Sequence, residues 1–309
     1  MDVVVLGHII IETIVFSDNR IVSPVLGSPA AYSSVILSSL GDKVGLCTKV
    51  GEDIPGEFIA VFKQVGVDLA GVRITGKHST RNKLIYSAPE RKSVEYIEKS
   101  PKIGFDDLPE DYKDAKIFYL CPMDYEVELH IVKEISRRGI ELIVDLGGYG
   151  GATSAAHPCG ERNSLKATRQ VVRYSDVVKT SLEDCQSIFG RLGSSDSENH
   201  YLDLMLEMGA KQIVLTLGER GVFYANPGHW ESFSSPRCQP VDITGAGDAF
   251  AAGMIHNWLK SGNICEAIEF GQATACYVIE RTGGVIPERM PTEEDVLSRI
   301  KGYTETSGS

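Results

Sequence analysis

Residues 242–253 read Asp242-Ile-Thr-Gly-Ala-Gly-Asp-Ala-Phe-Ala-Ala-Gly253. Three small residues and a carboxylate stand directly before a run of helix formers, AFAAGMIHNWL. The pattern predicts a helix over 247–260. The first amides of a helix have no carbonyl partner, and the helix dipole places partial positive charge there. Small residues let an anion come close to those amides. Gly245, Ala246 and Gly247 are therefore a candidate anion hole for charge building on a phosphoryl group in transfer. A carboxylate here would be repelled by a resting phosphate. Asp248 is read instead as the catalytic general base that takes the proton of an attacking hydroxyl. The plain alternative is a capped helix start with glycine for tight packing.

The rest of the chain bounds what that motif serves. With 309 residues and 42% hydrophobic content, it has room for a large α/β core. A net charge of −11 without a Lys/Arg-rich run argues against nucleic acid or an anionic membrane surface as a partner. Seven scattered cysteines form no C-x-x-C pair, which suits reduced thiols in a cytoplasmic protein. The opening MDVVVLGHIIIETIVF has no basic leader, carries Asp2 and Glu12, and lacks a small-residue cleavage site. A buried first strand explains it better than a signal peptide. No apolar run nears the roughly 18 residues of a membrane span.

Strands are expected at 3–6 and 44–50, and helices at 28–40 and 55–65. From 116 onward strand and helix alternate: strands at 116–120, 140–145, 176–179 and 212–217, helices at 126–137, 166–174, 182–189 and 198–208. Such alternation argues for a parallel sheet wrapped by helices. Residues 81–98 differ. NKLIYS and SVEYIE flank a turn at 88–92 and mix polar with apolar residues, the pattern of a hairpin with one wet face. A small β section, GVFYAN and HWESFS, leads into the 242–253 motif. Helices are then expected at 264–281 and 293–300.

The motif resembles the C-terminal signature of the PfkB family of carbohydrate kinases, the ribokinase-like kinases, D-T-x-G-A-G-D-x-F-x-x-G. Asp242, Gly245, Ala246, Gly247, Asp248, Phe250 and Gly253 match, with threonine displaced from Ile243 to Thr244. LGHIIIET is similar to the family's first strand, with Glu12 where an Asp usually binds a substrate hydroxyl. LGSPAAYSSVILSSLG resembles the N-terminal signature, VGEDIPGE the V-G-x-D-x-x-G that follows it, and LTLGERGV the turn beside the nucleotide phosphates. The resemblance implies a ribokinase-like fold over 1–303, with a mainly parallel sheet, helices on both faces and a small β-sheet lid of about 9–26 and 76–100. A disordered tail is expected at 304–309. It also implies a cytoplasmic kinase using ATP with Mg2+ to phosphorylate a sugar or sugar-like hydroxyl. A nucleoside or myo-inositol acceptor is the alternative. Lid closure would exclude water as a competing acceptor.

By the same resemblance Glu12, Gly27, Ser28 and Tyr32 face the acceptor, and Ser181, Thr216, Gly218, Gly221 and Gln272 face the nucleotide. Asp184 is a candidate for Mg2+ through water, and Asp242 for a monovalent cation, K+. Several positions depart from the family. Gly27-Ser28 replaces Gly-Gly, Tyr32 replaces Asn, and Ser181 and Asp184 replace Asn and Glu. These changes leave open a non-catalytic binding protein with a decayed site. Ser181 and Asp184 also read as a helix cap with an acidic first turn. Gly71 to His78 nearly spells a phosphate loop, but His78 stands where a hydroxyl is needed and β-type residues follow. The glycines of DLGGYGG at 145–151 follow a strand without G-x-G-x-x-G spacing. They read either as an acceptor-pocket lining or as a plain loop. His157-Pro-Cys159 reads as loop, and Lys179 as a strand-end lysine. The lid's exposed β face suggests a homodimer.

Overall fold

A computed structural model describes residues 1–88, 91–154, 161–191 and 197–307, with the side chains of 87–88, 91–92, 161–164, 197 and 304–307 excluded. Its strands are β1 (Val3–Leu6), β2 (Ile10–Val15), β3 (Ile21–Gly27), β4 (Val44–Val50), β5 (Asp68–Ile74), β6 (Arg81–Ala88), β7 (Arg91–Glu98), β8 (Ile117–Leu120), β9 (Glu141–Asp145), β10 (Val177–Ser181), β11 (Ile213–Thr216), β12 (Val222–Asn226) and β13 (His229–Phe233). Its helices are α1 (Pro29–Ser39), α2 (Gly56–Val65), α3 (His130–Arg137), α4 (Glu161–Tyr174), α5 (Leu182–Phe189), α6 (Ser197–Glu207), α7 (Ala246–Ser261), α8 (Ile264–Ile279) and α9 (Glu293–Ser307).

The large sheet has the order β13-β12-β11-β10-β9-β8-β1-β4-β5. Its pairs are parallel from β5 to β11, and antiparallel where β12 and β13 close one edge. β1 is buried along its whole length because both faces are covered. Val3 and Val5 join the core under α1, α7 and α8, whereas Val4 and Leu6 join the core under α3 to α6. A strand alternates its side chains, so a four-residue apolar run serves two cores at once. The order reverses between β1 and β8. In open α/β sheets the crevice at that reversal, beyond the carboxyl ends of the strands, is where ligands bind.

A second sheet, β3-β2-β6-β7, stands over that end of the large sheet. Its β2 and β6 run parallel, and each belongs to an antiparallel hairpin. This small sheet is lid-like, as expected, with its strands at 10–15, 21–27, 81–88 and 91–98.

Four elements depart from the sequence expectation, one of them α4, which begins at Glu161 and not at 166. The helix expected from 126 begins only at His130, because the Glu126 carboxylate turns back to accept from the amides of Met123 (2.8 Å), Asp124 (2.7 Å) and His8 (3.3 Å). β5 was not anticipated. It is an edge strand of mixed polarity, and it carries Gly71 to Ile74 of the false phosphate loop. α9 continues to Ser307, beyond the expected end at Ile300 and into the expected tail. Arg299 there donates to the Tyr303 hydroxyl one turn on, at 2.6 Å. Gly308 and Ser309, the turn residues Pro89 and Glu90, and the stretch His157 to Cys159 lie outside the described residues.

Candidate active site

The 242–253 motif forms the entrance to α7. Gly245 is the N-cap, with φ +82°, a conformation that glycine takes without steric cost. Its bare Cα also lies against the Tyr32 ring, where a Cβ would stand 2.5 Å from a ring carbon. Ala246, Gly247 and Asp248 make up the first turn. Asp248 is half-buried, at the carboxyl end of the sheet. Beneath this turn lies Lys179, 5% exposed, the middle residue of β10. Its Nζ donates to Asp145 Oδ2 at 2.7 Å and sits 3.2 Å from where a Cβ on Gly247 would stand. Burial opposes its charge, but Asp145, Asp184 and Asp248 outweigh burial and raise its pKa above the ordinary lysine value. A charged ammonium thus backs the helix start.

The nucleotide-side candidates line the neighbouring strand ends. Ser181 caps α5 in a reciprocal capping box. Its Oγ accepts from the Asp184 amide (3.1 Å), and Asp184 Oδ2 accepts from the Ser181 amide (2.9 Å) and hydroxyl (2.7 Å). Asp184 Oδ1 accepts from Ala152 at 2.9 Å, which ties the glycine-rich 147–151 segment to this cap. Thr216 Oγ1 donates to the Thr180 carbonyl at 3.3 Å. Gly218 and Gly221 bound the turn after β11. Gln272 is buried on α8, and its amide donates to the Ser234 carbonyl at 3.1 Å, so it is not a surface residue.

The acceptor-side candidates converge under the lid. The Glu12 carboxylate, on β2, accepts from Asn82 of β6 at 3.1 Å and lies over Gly27, where a Cβ would stand 2.0 Å from Oε2. Ser28 caps α1 through the Ala31 amide (3.2 Å) while holding φ at +110°, a strained value for a residue with a side chain. Tyr32 is buried, and its hydroxyl accepts from Arg289 at 3.0 Å. Burial raises its pKa, the Arg289 charge opposes the rise, and Glu12, Asp248 and Asp242 add to it. The lid reaches the motif directly, with the Tyr86 and Thr244 hydroxyls 3.3 Å apart.

At the reversal between β1 and β8 a cavity of about 360 Å³ opens, lined by His8, Tyr96, Lys99, Met123, Asp124 and Glu126 among others. Asp124 is 9% exposed; it pairs with Lys99 through Oδ2, and its Oδ1 is buried with no partner among the described residues.

The pfkB family carbohydrate kinase profile matches residues 1–292. The chain belongs to the pfkB family of carbohydrate kinases. It is 30% identical over 292 residues to the cytidine kinase of Thermococcus kodakarensis, covering 92% of this chain and 98% of that one. Among solved structures it is similar to Arabidopsis thaliana ribokinase complexed with ribose and ATP, with a TM-score of 0.77 at 20% identity over 97% and 98% of the chains. An E. coli protein of the ribokinase type, solved with ATP and Mg2+, gives 0.75 at 17% identity over 97% and 99%. Membership makes the protein a pfkB kinase, a phosphotransferase with an alcohol group on a sugar or sugar-like molecule as acceptor. Among the described residues no helix is long and apolar enough to cross a membrane.

The sequence reading missed Arg289 and Asn82 and undervalued Lys179. Lys179 carried a signal, a lone cation in an apolar strand; it is not the expected strand-end lysine, because β10 runs on to Ser181. Asn82 carried a weaker one, a polar residue inside a lid strand. Arg289 carried none, since an arginine after Pro287-Glu288 looks like surface.

Proposed function

We propose that the protein transfers the γ-phosphoryl group of ATP to a hydroxyl of a sugar or sugar-like acceptor, with Asp248 as the base. The observation that carries this reading is Asp248 itself: half-buried, in the first turn of α7, beside Gly245 and Gly247 and four residues from Thr244, whose hydroxyl meets Tyr86 of the lid at 3.3 Å. In this reading the amides of Gly245 and Gly247 hold the charge developing on the phosphoryl group, whereas the Ala246 amide, also expected there, donates to the Ile243 carbonyl at 3.2 Å. Ser181, Thr216, Gly218, Gly221 and Gln272 form the nucleotide side, with Lys179 as a backing charge. Glu12 accepts from an acceptor hydroxyl, Gly27 and Ser28 shape the floor, and the Tyr32 ring supports it from below.

Mg2+ bound with ATP neutralises phosphate charge. Among the described residues no three acidic, His or Cys side chains form a cage for a metal ion. That suits an ion held mainly by phosphates and waters. Asp184 fits as an acceptor for one such water, because each oxygen of an ionised carboxylate has more than one acceptor site. A K+ ion beside Asp242 would need oxygens that Arg289 already engages. A cytoplasmic setting suits the thiols, since none of the six described cysteines is in a disulfide. Exposed Ile21, Val22 and Ile97 make the lid our choice for a homodimer contact, which light scattering would test.

A second reading, nucleoside kinase, is favoured by the cavity between β1 and β8. Tyr96 offers it a ring and Asp124 Oδ1 an unused acceptor for an N–H group, and the Thermococcus relative is a cytidine kinase. Radiolabelled ATP offered with pentoses, hexoses, sugar acids, myo-inositol, cytidine and adenosine decides between them. Turnover of free sugars supports the first reading. Turnover confined to nucleosides replaces it with the second, and no turnover at all favours the decayed binding site.

A further inference from the structure

Arg289 ends the short turn Pro287–Arg289, and its side chain is 1% exposed. Its Nε donates to the carbonyls of Val278 (3.1 Å) and Arg281 (3.0 Å). Nη1 donates to the Tyr32 hydroxyl and the Gly283 carbonyl, and Nη2 to the carbonyls of Asp242 and Thr244, both at 3.0 Å. The Asp242 carboxylate stands 3.7 Å from Nη2. Five N–H groups thus meet six oxygens. A guanidinium has no other donors and keeps its charge at every physiological pH.

Carbonyl oxygens converging on one point are what strips and holds a potassium ion. Here the carbonyls flanking the phosphate-side loop converge on a fixed side chain instead. An alkali ion at the same oxygens would be pressed against a cation of like sign. The monovalent-cation role expected of Asp242 therefore does not fit this chain.

We propose that Arg289 is a built-in cation that positions the anion hole, so that transfer needs no K+. The claim rests on the kinase reading for its functional part. Within a trans peptide unit the C=O and N–H point in opposite directions. With the Thr244 carbonyl drawn down to Arg289, the Gly245 N–H of the same unit faces the other way. The Asp242 carbonyl fixes the Ile243 N–H likewise. Arg289 thus orients the entrance to α7 without touching the reacting atoms, and it adds permanent positive potential beneath it.

The test compares the wild-type protein in potassium chloride and tetramethylammonium chloride at equal ionic strength. kcat and KM for ATP should agree within the about fivefold at which coupling between sites ordinarily begins. Its unfolding midpoint without substrates should be the same in both salts. Arg289→Ala should lose kcat and recover part of it with added K+, which also raises its midpoint; Arg289→Lys should need less K+. A merely structural arginine would not give recovery by a small ion. A wild-type rate that rises more than about fivefold with K+, or a midpoint that rises specifically with it, overturns the proposal, and that comparison holds even where Arg289→Ala does not fold. Should no acceptor turn over in either salt, the kinase reading has failed, and the unfolding midpoints alone decide the place of Arg289.

Discussion

At the scale of single residues, the proposed acceptor floor depends on two adjacent positions that fail in opposite ways. Gly27 has no side chain because the Glu12 carboxylate occupies that space. Gly27→Ala forces Glu12 aside. Overpacking of this kind costs about 1–3 kcal/mol, and the acceptor KM should rise more than the ATP KM. Steady-state kinetics on both substrates checks this, and equal changes in the two would argue against the placement of Glu12. Ser28 is the reverse case. It carries a strained φ of +110° where the family pattern has glycine. Ser28→Gly loses an N-cap contact worth only a few tenths of a kcal/mol and releases strain of about 1–3 kcal/mol. A higher denaturation midpoint is therefore expected. The small residues of the 242–253 motif were legible because they fix backbone shape locally. The partners of Tyr32 were not, since Arg289 is 257 residues away in the chain. Sequence spacing carries no trace of such a contact.

At the scale of elements, the lid hangs from two short segments held by buried polar groups. His8, just after β1, bonds the Thr80 hydroxyl through Nδ1 (2.8 Å) and the Pro101 carbonyl through Nε2 (3.1 Å). Since the carbonyl can only accept, the proton is on Nε2, and Nδ1 accepts from Thr80. Asp53 holds the same root, accepting from the Ser79 amide (2.7 Å) and Arg81 (2.8 Å). Burial lowers the His8 pKa, with Glu126 opposing. A histidine lowered in the folded state stabilises it above the ordinary value of about 6.5 and loses that contribution as pH falls, because the unfolded chain then binds the extra proton. The thermal midpoint should drop from pH 7 to pH 5, and His8→Gln should flatten that slope. An unchanged slope would show that His8 does not titrate on unfolding. Asp53 acts lower down. Burial opposes its charge, but Arg81 and Ser79 outweigh burial and bring its pKa to about 2, so its share of stability persists until pH falls from about 4 towards 2. The lid hairpin was readable from its alternating polarity. β5 was not, because an edge strand half in water has no apolar run to announce it.

At the scale of the whole molecule, the reversal of strand order between β1 and β8, the entrance to α7 and the lid all face one end of the sheet. Regular strand–helix alternation made the parallel sheet legible, since each apolar run had to be covered on both faces. The cavity beyond β1 and β8 was not legible. It depends on Glu126 bending its segment out of helix and on side chains brought by the lid. The proposed transfer depends on one carboxylate acting on the acceptor proton at the mouth of α7. The most direct measurement is single-turnover phosphoryl transfer by Asp248→Asn, alongside ATP binding by calorimetry. The account predicts transfer slower by about two orders of magnitude or more, the usual size of a general-base contribution, with ATP affinity retained. Transfer at the wild-type rate would contradict it.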